Sequence, residues 1–89
     1  MYYLLILYSV EMNLYYIGST QNIKDKIKHL NKKKYQGADD WQLRYFEAHD
    51  SKANAQSRAL ELKHKSKRSY IEALCGTMYN LSILAWVKL

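Results

Sequence analysis

The sequence predicts an α/β fold in which a three-stranded antiparallel sheet is flanked by helices. Residues 2–9 and 14–19 are apolar and aromatic runs separated by a short polar break, which is the pattern of a β-hairpin. Residues 22–33 and 51–65 carry apolar side chains at helical spacing, and an alternating segment, 41–49, lies between them. The expected order is strand, strand, helix, strand, helix, with a further helix at 66–75.

The hairpin and the first helix have the clearest signals. The first strand is rich in aromatic and branched residues and contains no Gly or Pro, so it suits a buried position in a sheet. Residues 11–13 supply the turn, and Gly18 comes near the end of the second strand. Ile23, Ile27 and Leu30 recur at helical spacing with lysines between them, which predicts an amphipathic helix.

The later elements follow from similar patterns. Trp41 and Tyr45 fall in the alternating third strand and are expected in the core, although an exposed ring there would offer a stacking surface for bases. Ala59 and Leu62 share one face of the second helix. The third helix is expected to stop at Gly76, because glycine commonly ends helices.

The tail divides the chain into a domain at 1–75 and an extension at 76–89. Its apolar residues recur at every second position, which predicts an extra C-terminal strand, although a helix remains open over so few residues. An added strand has an unpaired edge that favours association, so we expect a homodimer formed through residues 78–89. The apolar positions of this pattern are Tyr79, Leu81, Ile83, Ala85, Val87 and Leu89.

The charge is positive and concentrated in two blocks. The net charge is +6, with an isoelectric point near 9.4. Residues 22–34 carry six lysines against one aspartate, and residues 58–68 carry five basic side chains against one glutamate. Two basic blocks are typical of a protein that binds a polyanion such as nucleic acid, although solvated helix faces would give the same composition.

The sequence fits neither a membrane-spanning protein nor a disulfide-rich protein. The longest apolar run is far shorter than the ~20 residues that a membrane span needs, so a cytoplasmic location without membrane contact is expected. Cys75 is the single cysteine, and no Cys or His pair has zinc spacing.

A nuclease signature can be recognised around the second strand. The segment YYIGST at residues 15–20 follows a hairpin and precedes a helix beginning at 22–23, and it resembles the YIG half of the signature of the GIY-YIG endonuclease family. Residues 41–47 resemble that family's third strand, and residues 55–74 resemble its last two helices. The resemblance covers residues 2–74 and is to the small stand-alone members, which are similar to the N-terminal nuclease domain of the excinuclease C subunit.

The resemblance implies a reaction and a set of residues for it. Members of the family hydrolyse a phosphodiester with one divalent metal ion, Mg²⁺ or Mn²⁺. A tyrosine helps to generate the nucleophile, an arginine stabilises the developing phosphate charge, and a glutamate binds the metal ion. The metal ion neutralises charge and lowers the pKa of bound water, which is why the site needs a carboxylate.

Several of these positions are altered in this chain. The second tyrosine of the signature is present as Tyr16, whereas the first falls on Leu5 or Ile6, neither of which has a hydroxyl. The arginine position is Lys26, which keeps the charge but lacks the planar fork that binds phosphate through two hydrogen bonds.

The remaining two positions are altered more severely. A histidine position of the family falls on Leu30, with His29 beside it on another side of the helix. The metal-binding glutamate falls on Ala59, and the nearest acid, Glu61, points to nearly the opposite face. No metal cofactor is therefore expected, and cleavage is expected to be impaired.

The resemblance and the charge together predict the site. Nucleic acid is the expected partner, DNA rather than RNA, and the resemblance places Tyr16 and Lys26 at catalytic positions of the family. Leu5, Tyr16, Lys26 and Ala59 are expected to border one concave surface. The residues expected to contact nucleic acid are Lys26, Lys28, Arg58, Lys63 and Lys65.

Three functions remain open from the sequence. The first is a nucleic-acid-binding domain that has lost the metal site, and the second is a divergent endonuclease that recruits Tyr8, Tyr16, Lys26 or Glu47. The third is a dimeric interaction protein built on a nuclease fold. The retained lysines favour the first over the third, and the missing carboxylate favours it over the second.

Overall fold

The computed structural model describes residues 1–65 and 67–77, and it has the predicted α/β fold. Three strands form one antiparallel sheet flanked by three helices, so the predicted fold class is confirmed for the described part of the chain. The expected strand and homodimer contact at 78–89 lie outside the described residues. The elements are β1 (Tyr2–Ser9), β2 (Leu14–Thr20), α1 (Ile23–Lys32), a 3₁₀ turn (Tyr35–Gly37), β3 (Gln42–His49), α2 (Lys52–Lys65) and α3 (Arg68–Thr77).

The sheet separates two apolar cores. The strand order is β2-β1-β3, so β1 is central and its residues 4–7 are fully buried. Successive side chains of a strand point to opposite faces, and Leu5 and Leu7 therefore pack towards α1 while Leu4 and Ile6 pack towards α2 and α3. We call these the α1 face and the α2 face of the sheet.

Helix α1 begins where its side chains predict. Asn22 is the N-cap, and its side-chain oxygen accepts a hydrogen bond from the Asp25 backbone N–H at 3.0 Å. Ile23 and Leu30 are buried in the core of the α1 face. Of the lysines between them, Lys28 is exposed, whereas Lys24 and Lys26 are half-buried.

Helix α3 runs past the glycine that was expected to end it. Gly76 lies inside the helix, which continues to Thr77, so that prediction is wrong. Glycine ends a helix when its backbone turns left-handed, and Gly76 has no positive φ. The Thr77 hydroxyl instead donates to the Leu74 carbonyl at 2.7 Å.

One bulge interrupts the pairing of β1 with β3. Ile6 is opposite Tyr45, but the next residue, Leu7, is opposite Leu43, so Arg44 has no partner on β1. The bulge puts Leu43 on the α1 face and Tyr45 on the α2 face. None of the described helices is long and apolar enough to cross a membrane.

Candidate nucleic-acid interface

Tyr16 lies on the α1 face, and it meets Lys26 there. The half-buried Tyr16 ring packs against the core that contains Leu5 and Leu30. The Lys26 ammonium lies 5.7 Å from the centre of that ring, close enough for a favourable cation–π interaction. The two residues that the family resemblance assigns to catalytic positions are therefore adjacent, whereas Leu30, which it assigns to a histidine position, is a core residue.

Ala59 lies on the α2 face, away from these residues. The prediction that Leu5, Tyr16, Lys26 and Ala59 border one concave surface is therefore wrong. Alternate strand residues point to opposite faces, so Leu5 faces α1 whereas its neighbour Ile6 packs in the same cluster as Ala59. Ala59 is 5% exposed, and the buried residues of its cluster are Leu4, Ile6, Tyr45, Leu62 and Ile71.

Arg58, which was predicted to contact nucleic acid, is bound by two carboxylates. Its Nε and Nη2 donate to Glu47 Oε1 and Oε2 at 3.1 and 3.2 Å, and its Nη1 donates to Glu61 Oε1 at 2.7 Å. Tyr45 donates its hydroxyl proton to Glu47, and His49 Nε2 lies 3.2 Å from Glu47 Oε1. Arg58 therefore joins α2 to β3, and its guanidinium group is already engaged.

The pKa values of this group reflect the same contacts. Burial acts to raise the pKa of Glu47, but hydrogen bonds from Arg58, Tyr45 and His49 outweigh burial and hold that pKa below its ordinary value. Burial and the hydrogen bond to Glu47 raise the pKa of Tyr45 to about 12. At neutral pH Glu47 is thus a charged acceptor, and Tyr45 keeps its proton.

The described side chains do not fit the divalent metal ion that the family resemblance implies. Ala59 has no oxygen ligand, and its cluster is mainly apolar. Glu47 and Glu61 both accept hydrogen bonds from Arg58. Within residues 1–65 and 67–77, no three His, Cys, Asp or Glu side chains stand together in positions to hold a metal ion. Mg²⁺ can be held by one carboxylate while waters and substrate phosphates complete its shell, and Ala59 does not supply that carboxylate.

The predicted lysine contacts differ in exposure. Lys28 on α1 and Lys63 on α2 are exposed, and the described part of the chain gives neither an ion pair. Lys26 is half-buried against Tyr16. The Lys65 side chain lies outside the described part of the structure.

A groove of about 570 Å³ crosses the outer edge of β2. Because β2 is an outer strand, side chains from both faces of the sheet meet at this edge. Three aromatic rings come from the α1 face, and a tyrosine with two cations comes from the α2 face. We call this groove the β2 groove. Its aromatic and basic lining residues are Tyr16, Tyr35, Trp41, Tyr15, Lys63 and Arg68.

Hydrogen bonds fix both walls of the β2 groove. Trp41 is buried, as expected; its backbone N–H donates to the Asn31 side chain at 2.7 Å, and its indole N–H donates to the Tyr35 carbonyl at 3.2 Å. On the other wall, Arg68 donates to the Asn13 side chain at 2.5 Å and lies 5.3 Å from the centre of the Tyr15 ring.

Tyr35 and Arg68 were not among the predicted site residues. Tyr35 directly follows three lysines, and an aromatic residue beside a lysine run is a usable signal for nucleic-acid binding. Arg68 lies in the second basic block, but its place beside β2 depends on how α3 packs.

Comparison with known proteins gives one result. The family model described as the GIY-YIG catalytic domain matches residues 1–71 of the chain. No significant match is found among curated proteins or among solved structures. The match covers most of the chain, including the hairpin, α1, β3, α2 and the start of α3. The chain therefore belongs to the GIY-YIG family, as its YIG segment and element order predict.

Proposed function

We propose that this chain is a nucleic-acid-binding domain of the GIY-YIG family whose cleavage activity is absent or very low. The observation that carries the proposal is Ala59, which is 5% exposed in a mainly apolar cluster and which the family resemblance assigns to the position of the metal-binding glutamate. Loss of the metal ligand removes the largest electrostatic contribution to phosphodiester hydrolysis. DNA is the proposed partner because the family resemblance implies cleavage of DNA.

The retained cations support binding. Lys63 lines the β2 groove, and Lys26 lies against Tyr16, which also lines it. Lysines from the two faces of the sheet thus approach one edge, although α1 and α2 pack on opposite sides. Lysine–phosphate contacts release counterions from nucleic acid and give an affinity that falls steeply with salt concentration.

The contacts of Glu47 argue against its recruitment as a replacement metal ligand. Both of its carboxylate oxygens accept hydrogen bonds from Arg58, and Tyr45 adds a further donor. A metal ion would have to displace these donors and leave Arg58 with one carboxylate partner. The dimeric alternative depends on residues 78–89 and stays a prediction.

Binding is tested by fluorescence anisotropy with labelled DNA at several salt concentrations. Replacing Lys26, Lys28 and Lys63 together by Ala should weaken binding to all sequences and flatten the salt dependence. Lys52→Ala is the matched control for Lys63→Ala, because both lysines are exposed on α2 but Lys52 does not line the β2 groove. Unchanged affinity of the triple variant at low salt would refute the lysine contacts.

Cleavage is tested with supercoiled plasmid and with a single-stranded oligonucleotide in Mg²⁺ or Mn²⁺. We expect no nicking above the background of a mock preparation. Robust nicking that disappears with Tyr16→Phe would show that the chain is an active endonuclease and that the reading of Ala59 is mistaken.

A further inference from the structure

We propose that the β2 groove binds unpaired bases of single-stranded nucleic acid. This inference rests on the proposed function and names the class of nucleic acid that the domain prefers. Its basis is the combination of aromatic rings, cations and an open strand edge in one groove.

The aromatic wall of the groove is already held in place. The Tyr16 ring packs edge-on against Tyr35 at 5.5 Å and an interplanar angle of 83°, and against Trp41 at 6.3 Å. Tyr35 and Trp41 are also 6.2 Å apart, so the three rings support one another. Rings that are fixed before binding lose little conformational entropy when a base stacks on them.

Cations stand beside these rings. Lys63 and Arg68 line the groove from the α2 face; Arg68 also forms an exposed ion pair with Glu72 at 3.1 Å, whereas Lys63 has no ion pair among the described residues. On the other wall, Lys26 lies against Tyr16, and the Lys33 ammonium lies 5.2 Å from the centre of the Tyr35 ring. Aromatic rings with cations at the rim match a nucleotide chain, because bases stack on rings while phosphates contact the cations.

The strand edge adds hydrogen-bonding groups. β2 pairs only with β1 in the described sheet, so the outward backbone N–H and C=O groups of residues 14–17 face the groove. Within residues 1–65 and 67–77 they have no strand partner, so they are available there to the edges of bases. In a duplex the base faces are covered by neighbouring base pairs, so a paired strand reaches the rings only after a base has been flipped out at an energetic cost.

The volume suits an occupant larger than an ion or a water cluster. Pockets that hold organic ligands measure roughly 300–1,000 Å³, and the β2 groove, at about 570 Å³, falls within that range. An extended peptide is the competing occupant of an open strand edge. The flanking cations favour the polyanion.

The deciding comparison uses the unaltered chain and three labelled nucleic acids of equal length: oligothymidine, an abasic strand with the same phosphates, and a duplex. Base stacking is worth enough that oligothymidine should bind at least about tenfold more tightly than the abasic strand at matched salt concentration. In a Trp86→Phe chain, in which Trp41 is the one remaining tryptophan, binding of oligothymidine should also quench the tryptophan fluorescence.

A matched pair of variants locates the site. Tyr35→Leu removes an aromatic ring from the groove. It should remove most of the preference for oligothymidine and leave the affinity for the abasic strand unchanged. Tyr2→Leu, a half-buried tyrosine at the start of β1 that does not line the groove, should leave both affinities unchanged. Circular dichroism verifies folding, and the three-ligand comparison decides the question even if Tyr35→Leu does not fold.

The outcomes separate this inference from the proposed function. Equal affinity for oligothymidine and the abasic strand, with a steep salt dependence, overturns base binding and keeps electrostatic binding. No affinity for any of the three nucleic acids at low salt overturns both proposals. A Tyr35→Leu variant that keeps the full oligothymidine preference overturns the assignment of base binding to the β2 groove.

Discussion

The hydroxyl oxygen of Tyr16 lies over Gly18, 2.7 Å from the point that a Cβ of residue 18 would occupy. Both residues are on the same face of β2, two positions apart, so the ring runs along the strand and covers the glycine. The backbone of Gly18 has no positive φ, and glycine is therefore required by the ring and not by the chain conformation. The tyrosine and glycine of the YIG segment thus act as one packing unit.

Gly18→Ala should displace the Tyr16 ring and destabilise the fold by about 1–2 kcal/mol, because the added methyl group comes closer than any real contact allows. The near-ultraviolet circular dichroism of the aromatic cluster should change, and the urea unfolding midpoint should fall. Gly76→Ala is the control, since a Cβ there meets nothing within 4 Å and helix propensity favours alanine. An unchanged midpoint and spectrum for Gly18→Ala would contradict the packing.

Much of the fold could be read from the sequence, because alternation marks strands and the helical period marks helices. The sequence did not show to which face each β1 side chain points, because that depends on the pairing register of β1 with β2 and β3. In the structure Ile6 points to the α2 face, and a register shift of one residue would place Leu5 there instead. Tyr16 is paired with Leu7 and packs on the α1 face, whereas Ala59 packs with Ile6 on the α2 face, so the four assigned positions do not share one surface.

The sequence also could not show which residue pairs with Arg58. Glu47 is eleven residues earlier on another element, and only the packing of α2 against β3 brings them together. Basic residues in one block therefore have different roles: Arg58 is engaged by carboxylates, whereas Lys63 lines an open groove. Charge counts cannot separate these cases, because they do not show which cation has an acidic neighbour.

Acid should destabilise the protein partly through Glu47. The folded-state pKa of Glu47 lies below its ordinary value of 4.5, so its contribution to stability is present above that pH and is lost as the pH falls through the folded pKa. Glu47→Gln should therefore lower stability at pH 7 by about 1–3 kcal/mol and should reduce the further loss between pH 5 and pH 3, as measured by urea unfolding.

Asp39→Asn is the control for the acid experiment, because Asp39 is exposed and joins no described hydrogen bond. Its unfolding curve should follow that of the parent chain at each pH. A Glu47→Gln variant with the same loss between pH 5 and pH 3 as the parent would show that Glu47 is not charged and bound as described.

The β1–β2 turn should depend on Ser9. The buried Ser9 hydroxyl donates to Asp40 Oδ1 at 2.5 Å and accepts from the Met12 backbone N–H at 3.1 Å, while Asp40 Oδ2 accepts from the Glu11 N–H at 2.9 Å. Ser9→Ala removes two of these bonds and should lower the free energy of unfolding by about 1–3 kcal/mol. Ser57→Ala, on the exposed side of α2, should change it by less than about 0.5 kcal/mol.

Restoring the family's glutamate should not restore a nuclease. Ala59→Glu places a carboxylate in a mainly apolar cluster beside Ile6 and Leu62, and a buried charge without a partner is costly. We expect a loss of about 2–4 kcal/mol at pH 8, with a smaller loss at pH 5, because burial raises the carboxyl pKa and the neutral form is tolerated better. Thermal and urea unfolding at the two pH values measure this.

Plasmid nicking by Ala59→Glu should stay at background in Mn²⁺, because one carboxylate does not replace the tyrosine that the resemblance expects at Leu5 or Ile6 or the arginine that it expects at Lys26. Leu60→Glu is the control: residue 60 is 55% exposed, so the same side chain one position away should change neither stability nor nicking. An Ala59→Glu chain that is as stable as its parent and nicks plasmid in a Mn²⁺-dependent way would show that the α2 face opens to solvent and holds a metal ion. That result would make Ala59 a single-step block on an otherwise complete active site.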